Sequence, residues 1–110
     1  MKPNNLIELS NKLVKISDEL EQVYTQSYNI DYTLSTLKAQ FVKDNIETGK
    51  RYTLPVQDAL FDSQYTTELE ESNNLKIRRK ILELRLQTQR EVVRTAIDYL
   101  KLTQSSVTAF

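Results

Sequence analysis

Apolar residues recur along the first half of the chain at Leu6, Leu9, Leu13, Ile16, Leu20, Val23, Ile30, Leu34, Leu37 and Phe41, in steps of three and four once Ser27, the one polar member, is included. That spacing returns one narrow face of an α-helix to the same side turn after turn. It predicts a continuous helix over residues 4–47, ~65 Å long at ~1.5 Å per residue. Asn4 or Asn5 is the expected N-cap, and Gly49 the expected left-handed residue just beyond the C-terminal end. Ile7, Val14, Tyr28 and Val42 widen the stripe, with Tyr24 and Tyr32 adding to it more weakly. A two-stranded seam needs no such width, so contact with more than one neighbouring helix is expected.

The pattern then breaks. Residues 48–63 form a connection in which Gly49 ends the first helix and Pro55 suits the first turn of a short second one. Val56, Ala59 and Leu60 have the spacing of one or two amphipathic turns. The chain reverses here, and the pattern leaves open whether the short helix joins the next or bends away from it.

A last helix is predicted over residues 64–103, followed by a flexible tail at 104–110. With ~100° per residue, two apolar stripes appear on it. One holds Leu75, Leu82, Leu86, Val93, Ile97 and Leu100. The other, nearly opposite, holds Ile77, Ile81, Leu84, Tyr99 and Leu102. One companion helix covers one stripe only. Burying a Leu or Ile stabilises by ~1.5–3 kcal/mol, so the second stripe calls for a partner. The expected fold is therefore all-α: a long antiparallel helical hairpin with a short connecting helix, dimerising into a four-helix bundle. A monomer in which the connecting helix folds over the second stripe is the alternative.

Composition supports this reading and narrows the chemistry. The chain has 110 residues with only one Gly and two Pro, which is too little punctuation for a sheet fold. A single domain over residues 1–110 is expected. Cysteine and histidine are both absent. That removes disulfides, thiolate and imidazole nucleophile systems, and the common zinc and Glu-x-x-His sites. One glycine cannot build a phosphate-cradling loop. Glu68, Glu70 and Glu71 read as an acidic helix start favoured by the helix dipole rather than as metal ligands. No enzyme activity, cofactor, metal or small-molecule substrate is expected. No signal peptide, membrane span or lipidation motif is recognised, which fits a cytoplasmic protein.

Charge is balanced overall but segregated. Residues 1–71 carry seven basic and twelve acidic side chains, and residues 72–110 carry eight basic and three acidic, so the halves are −5 and +5. Mutual attraction of the two halves in a hairpin or dimer is the first reading. The second is a basic surface for nucleic acid, formed by Lys76, Arg78, Arg79 and Lys80 and continued by Arg85, Arg90 and Arg94. Against it stand Glu83, Glu91 and Asp98, at intrahelical ion-pair spacing from Lys80, Arg94 and Lys101. Tyr24, Tyr28 and Tyr32 recur every four residues. Their neighbours Gln22, Gln26, Asn29 and Asp31 suit a protein contact better than base stacking. The surface expected to meet a second copy or another protein thus comprises Ile77, Ile81, Leu84, Tyr99, Leu102, Tyr24 and Tyr28.

Two stretches, NLIELSNKLVKISDEL near the start and LELRLQTQREVVRTAIDYLK near the end, with the Thr48-Gly49-Lys50-Arg51 turn between them, resemble small helical-hairpin proteins encoded by bacteriophages of Gram-positive bacteria. The resemblance spans most of the chain and rests on helical pattern. It implies an accessory role beside replication and recombination proteins, such as single-strand binding or annealing proteins, in the host cytoplasm. It supplies no catalytic residues. This chain departs from the group in its richness in Tyr and in Pro55 within the connection. A small inhibitor of a host enzyme or defence system would use the same surfaces.

Overall fold

The computed structural model describes the backbone of residues 3–108 and the side chains of residues 5–104. Three helices follow in order: α1 (Pro3–Glu47), α2 (Leu54–Gln64) and α3 (Thr66–Thr108). Among the described residues there is no strand. The long helices are the arms of a helical hairpin and α2 is the short helix of the connection, as the hydrophobic pattern predicts.

Helix α1 starts earlier than expected. It takes in Pro3, so Asn4 and Asn5 lie in its first turn rather than at its cap. Proline is tolerated there because the N–H it lacks has no intrahelical acceptor anyway. The other end stops as predicted. Gly49 adopts φ 73°, its N–H donates to the Ile46 carbonyl at 3.1 Å, and the Lys50 N–H donates to the Asn45 carbonyl at 2.8 Å. Those two bonds form a Schellman motif, which satisfies carbonyls that the helix itself leaves without donors.

Thr53 precedes α2 in an extended conformation, with Pro55 in the first turn. Tyr65, at φ −114° and ψ 37°, separates α2 from α3. The helical ladder nevertheless crosses this residue, through Tyr65 N–H to the Phe61 carbonyl and Leu69 N–H to the Tyr65 carbonyl. The short helix therefore ends at a single residue outside the helical basin. At the far end α3 runs on to Thr108, so the flexible tail expected from residue 104 is helical as far as that residue. Nothing between Gln104 and Thr108 is Gly or Pro, and no stop signal interrupts the ladder. Ala109 and Phe110 lie outside the described residues.

The chain divides into two compact units, residues 1–22 with 79–110, and residues 23–78. In the first unit the start of α1 packs against the later part of α3. Leu20, Leu82, Leu86 and Ala96 are its buried residues. Gln89 reaches out of this packing, its Nε2 donating to the Leu9 carbonyl at 2.9 Å.

The second unit combines the later part of α1, the connection, α2 and the start of α3. Val23, Ile30 and Phe61 are buried there, along with Ser27, Asn45 and Ser72. Phe61 fixes α2. Its ring meets Phe41 edge-on at 5.7 Å and Tyr65 at 4.8 Å, and Lys38 Nζ sits 4.6 Å from its centroid. The same ammonium donates to Asp58 Oδ1 at 2.6 Å. Such a cation, held over a ring and against a carboxylate, fastens α2 to α1 by two different attractions. Ser72 Oγ donates to Asp31 Oδ1 at 2.9 Å.

The seam residues of α1 turn inward as predicted: every one from Leu6 to Phe41 is buried or half-buried. Helix α3 has a comparable seam that its apolar residues alone do not reveal. Ser72, Leu75, Arg79, Leu82, Leu86, Gln89, Val93, Ala96 and Leu100 alternate in steps of three and four, and all are buried or half-buried. Ala96 is the inward residue, at 2 % exposure, where the first apolar stripe had placed Ile97.

Candidate functional site

The second stripe of α3 is open on the single chain. In the first unit Leu84 is 65 % exposed and Leu102 69 %, two residues from the buried Leu82 and the half-buried Leu100 of the same helix. Ile81 and Tyr99 are exposed with them. In the second unit Ile77 is exposed as well. In the second unit the one buried side chain of α2, Phe61, packs against Phe41 and Tyr65.

Three exposed residues outside the predicted stripe join the row: Thr88, Val92 and Thr95. With them the row in the first unit reads Ile81, Leu84, Thr88, Val92, Thr95, Tyr99 and Leu102, again in steps of three and four. At ~100° per residue it lies about 120° around the helix from the seam. It contains no charge. Threonine contributes a methyl group to such a surface, and its hydroxyl can bond back to the preceding turn, as Thr103 Oγ1 does to the Tyr99 carbonyl at 3.0 Å.

The row is not flat. Thr88, Glu91, Val92, Thr95, Ala96 and Tyr99 line an open groove of about 450 Å³ whose walls are almost wholly apolar. Val92, Thr95, Ala96 and Tyr99 stand at positions i, i+3, i+4 and i+7, the diamond that receives one side chain of a facing helix in knobs-into-holes packing. The hole exists because Thr95 and Ala96 are small and Tyr99 is large. Leucine at both small positions would fill it.

On α1 in the second unit, Tyr24, Tyr28 and Tyr32 climb away from the seam. Tyr28 is 72 % exposed and Tyr24, nearer the seam, 44 %.

The basic residues do not form one patch. Arg79 occupies a seam position, half-buried, with its Nε 3.8 Å from Glu83; it is not available to a phosphate backbone in the way its neighbours are. Lys80, Arg85, Arg90 and Arg94 are exposed in the first unit, and Lys76 and Arg78 in the second. Arg90 and Arg94 lie on one flank of α3 and Arg85 on another, since helical rotation separates residue 85 from 90 by about 140°. Glu68 is half-buried in the first turn of α3, with Glu70 and Glu71 exposed. Among the described residues no three acidic side chains converge as a metal site would require, and no helix is long and apolar enough to cross a membrane.

No family model matches the chain, and no curated protein or solved structure shows significant similarity to it.

Proposed function

We propose that this chain is a non-catalytic protein-interaction module that works by pairing its outer α3 face with an apolar helical surface, on a second copy and on another protein. The observation that carries this reading is the uncharged row from Ile81 to Leu102, exposed on a helix whose opposite side already has its companion. A face of that kind forfeits stability in water and gains it on docking. Two hairpins joined through it form a four-helix bundle, and the row of Tyr24, Tyr28 and Tyr32 remains as a second contact surface suited to a protein.

The partner class follows from the resemblance of the two arms to phage-encoded hairpins: a replication or recombination protein, single-strand binding or annealing proteins first among them. The experiment is a binding measurement between the immobilised chain and such purified proteins, run beside a Leu84→Glu variant and a Tyr28→Ser variant. Saturable binding that either substitution weakens supports the reading. Binding indifferent to both substitutions removes it.

A second reading draws on the exposed Lys80, Arg85, Arg90 and Arg94 of the first unit. These cations suit a nucleic-acid backbone, and such binding weakens steeply with salt. Titration of a fluorescent oligonucleotide at low and moderate salt separates the two. Salt-dependent binding that Arg90→Gln and Arg94→Gln reduce supports it, and no binding at low salt rules it out.

A further inference from the structure

We infer that the occupant of the α3 groove is Leu84 of a second copy of this chain, packed antiparallel so that each copy fills the groove of the other. This inference rests on the reading of the outer α3 row as a docking face. Three observations give it its direction and register.

The first is that four members of the row mirror one another along the helix. Ile81 and Tyr99 stand nine residues either side of the level of Arg90, and Thr88 and Val92 two residues either side. Leu84 is six residues before that level and Ala96 six after, with Thr95 beside it. An antiparallel pair related by a twofold axis at this level sets each residue against its mirror position, as a self-complementary interface requires.

The second is size. One mirror pairing sets large against small: Leu84, which is exposed, falls on the floor formed by Thr95 and Ala96 between Val92 and Tyr99. A parallel pair would set Leu84 against Leu84 and leave both grooves empty.

The third is charge. Lys80 and Asp98 lie on the same flank of the row, about 160° from the seam at ~100° per residue. In an antiparallel pair like flanks meet, so Lys80 of each copy lies within about a turn of Asp98 of the other, twice over. In a parallel pair like flanks lie on opposite sides of the interface, so Lys80 and Asp98 of the two copies do not meet.

Sedimentation equilibrium on the whole chain across the micromolar range tests all three. The wild type is expected to be a dimer. Leu84→Glu should weaken the dimer on the order of a hundredfold, because the change counts once in each groove. Its far-UV circular dichroism should be unchanged, since Leu84 is exposed on the single chain. Lys80→Asp and Asp98→Lys should each weaken it about tenfold, by placing like charges together at two sites. An equimolar mixture of those two variants should regain the wild-type affinity, since the mixed pair restores both contacts.

A wild type that stays monomeric overturns the second copy as occupant, while the binding measurements with other proteins judge the docking face independently. A dimer that survives Leu84→Glu overturns the face as the dimer contact. A dimer whose two charge variants gain nothing on mixing overturns the antiparallel arrangement.

Discussion

Ser72 Oγ donates a hydrogen bond of 2.9 Å to Asp31 Oδ1, joining α3 to α1 across 41 residues of sequence. Ser72 is buried and Asp31 exposed, so the carboxylate stays hydrated on one side while satisfying the hydroxyl on the other. Charge-assisted bonds of this type are stronger than those between neutral groups.

Removing the acceptor alone should therefore be costly. Asp31→Ala leaves a buried hydroxyl without its partner, and a loss of ~1–3 kcal/mol is expected. Ser72→Ala on that background should return part of it. Urea denaturation of the wild type, both single variants and the double variant gives the coupling directly. Strictly additive effects would mean that the bond contributes nothing of its own.

Ser27 makes the reverse case. It fills a seam position of α1 that is otherwise apolar, is buried, and its Oγ has no hydrogen-bond partner. Ser27→Ala removes the unsatisfied oxygen with little change of volume, and the folded state should gain about 1 kcal/mol. A higher midpoint in denaturant at constant slope is the signature. A lower midpoint would show that the hydroxyl is engaged after all.

Phe61 is the anchor of α2, with Phe41, Tyr65 and Lys38 around its ring. Phe61→Ala should cost ~3–5 kcal/mol. Amide exchange resolved by residue should show protection lost first over Leu54–Gln64. Equal loss along the first unit, 1–22 with 79–110, would contradict the assignment of this ring to α2.

Gly49 takes a left-handed backbone, and a Cβ added there meets nothing within 4 Å. The penalty for Gly49→Ala is thus conformational rather than steric crowding, ~1–2 kcal/mol. Gly49→Asn should cost less, because asparagine visits that region more readily. Thermal unfolding ranks the three, and an alanine variant as stable as the wild type would remove the argument.

The extent to which these features could be read from sequence follows from residue chemistry. The α1 seam is legible because nearly all its members are Leu, Ile, Val or Phe, and the glycine stop is legible because glycine suits a left-handed backbone better than any other residue. The α3 seam is partly hidden. Leu75, Leu82, Leu86, Val93 and Leu100 mark it, whereas Ser72, Arg79 and Gln89 carry polar groups that hydrophobicity assigns to water. Serine and glutamine are accommodated there because Asp31 and the Leu9 carbonyl accept from them, contacts that only the folded chain brings together. Ala96 was displaced by Ile97 for a related reason, since pattern weighs size and the packed seam had room for a methyl group. The exposed outer row of α3 was visible in its five large members. Its threonines, and the hole they leave, required coordinates.

Leucine-lined arms carry an ambiguity of position, because a repeat of seven lets one arm advance by a whole heptad and meet equivalent neighbours. Gln89 removes that freedom in its unit. Its amide finds the Leu9 carbonyl at one setting only, and advancing the arm by a heptad, about 10 Å of helix, would bring Leu82 or Ala96 to that carbonyl, neither of which has a side-chain proton to give. The glutamine acts as an index mark on an otherwise uniform scale, and alignment of the arms is set by a polar group that contributes little to their adhesion.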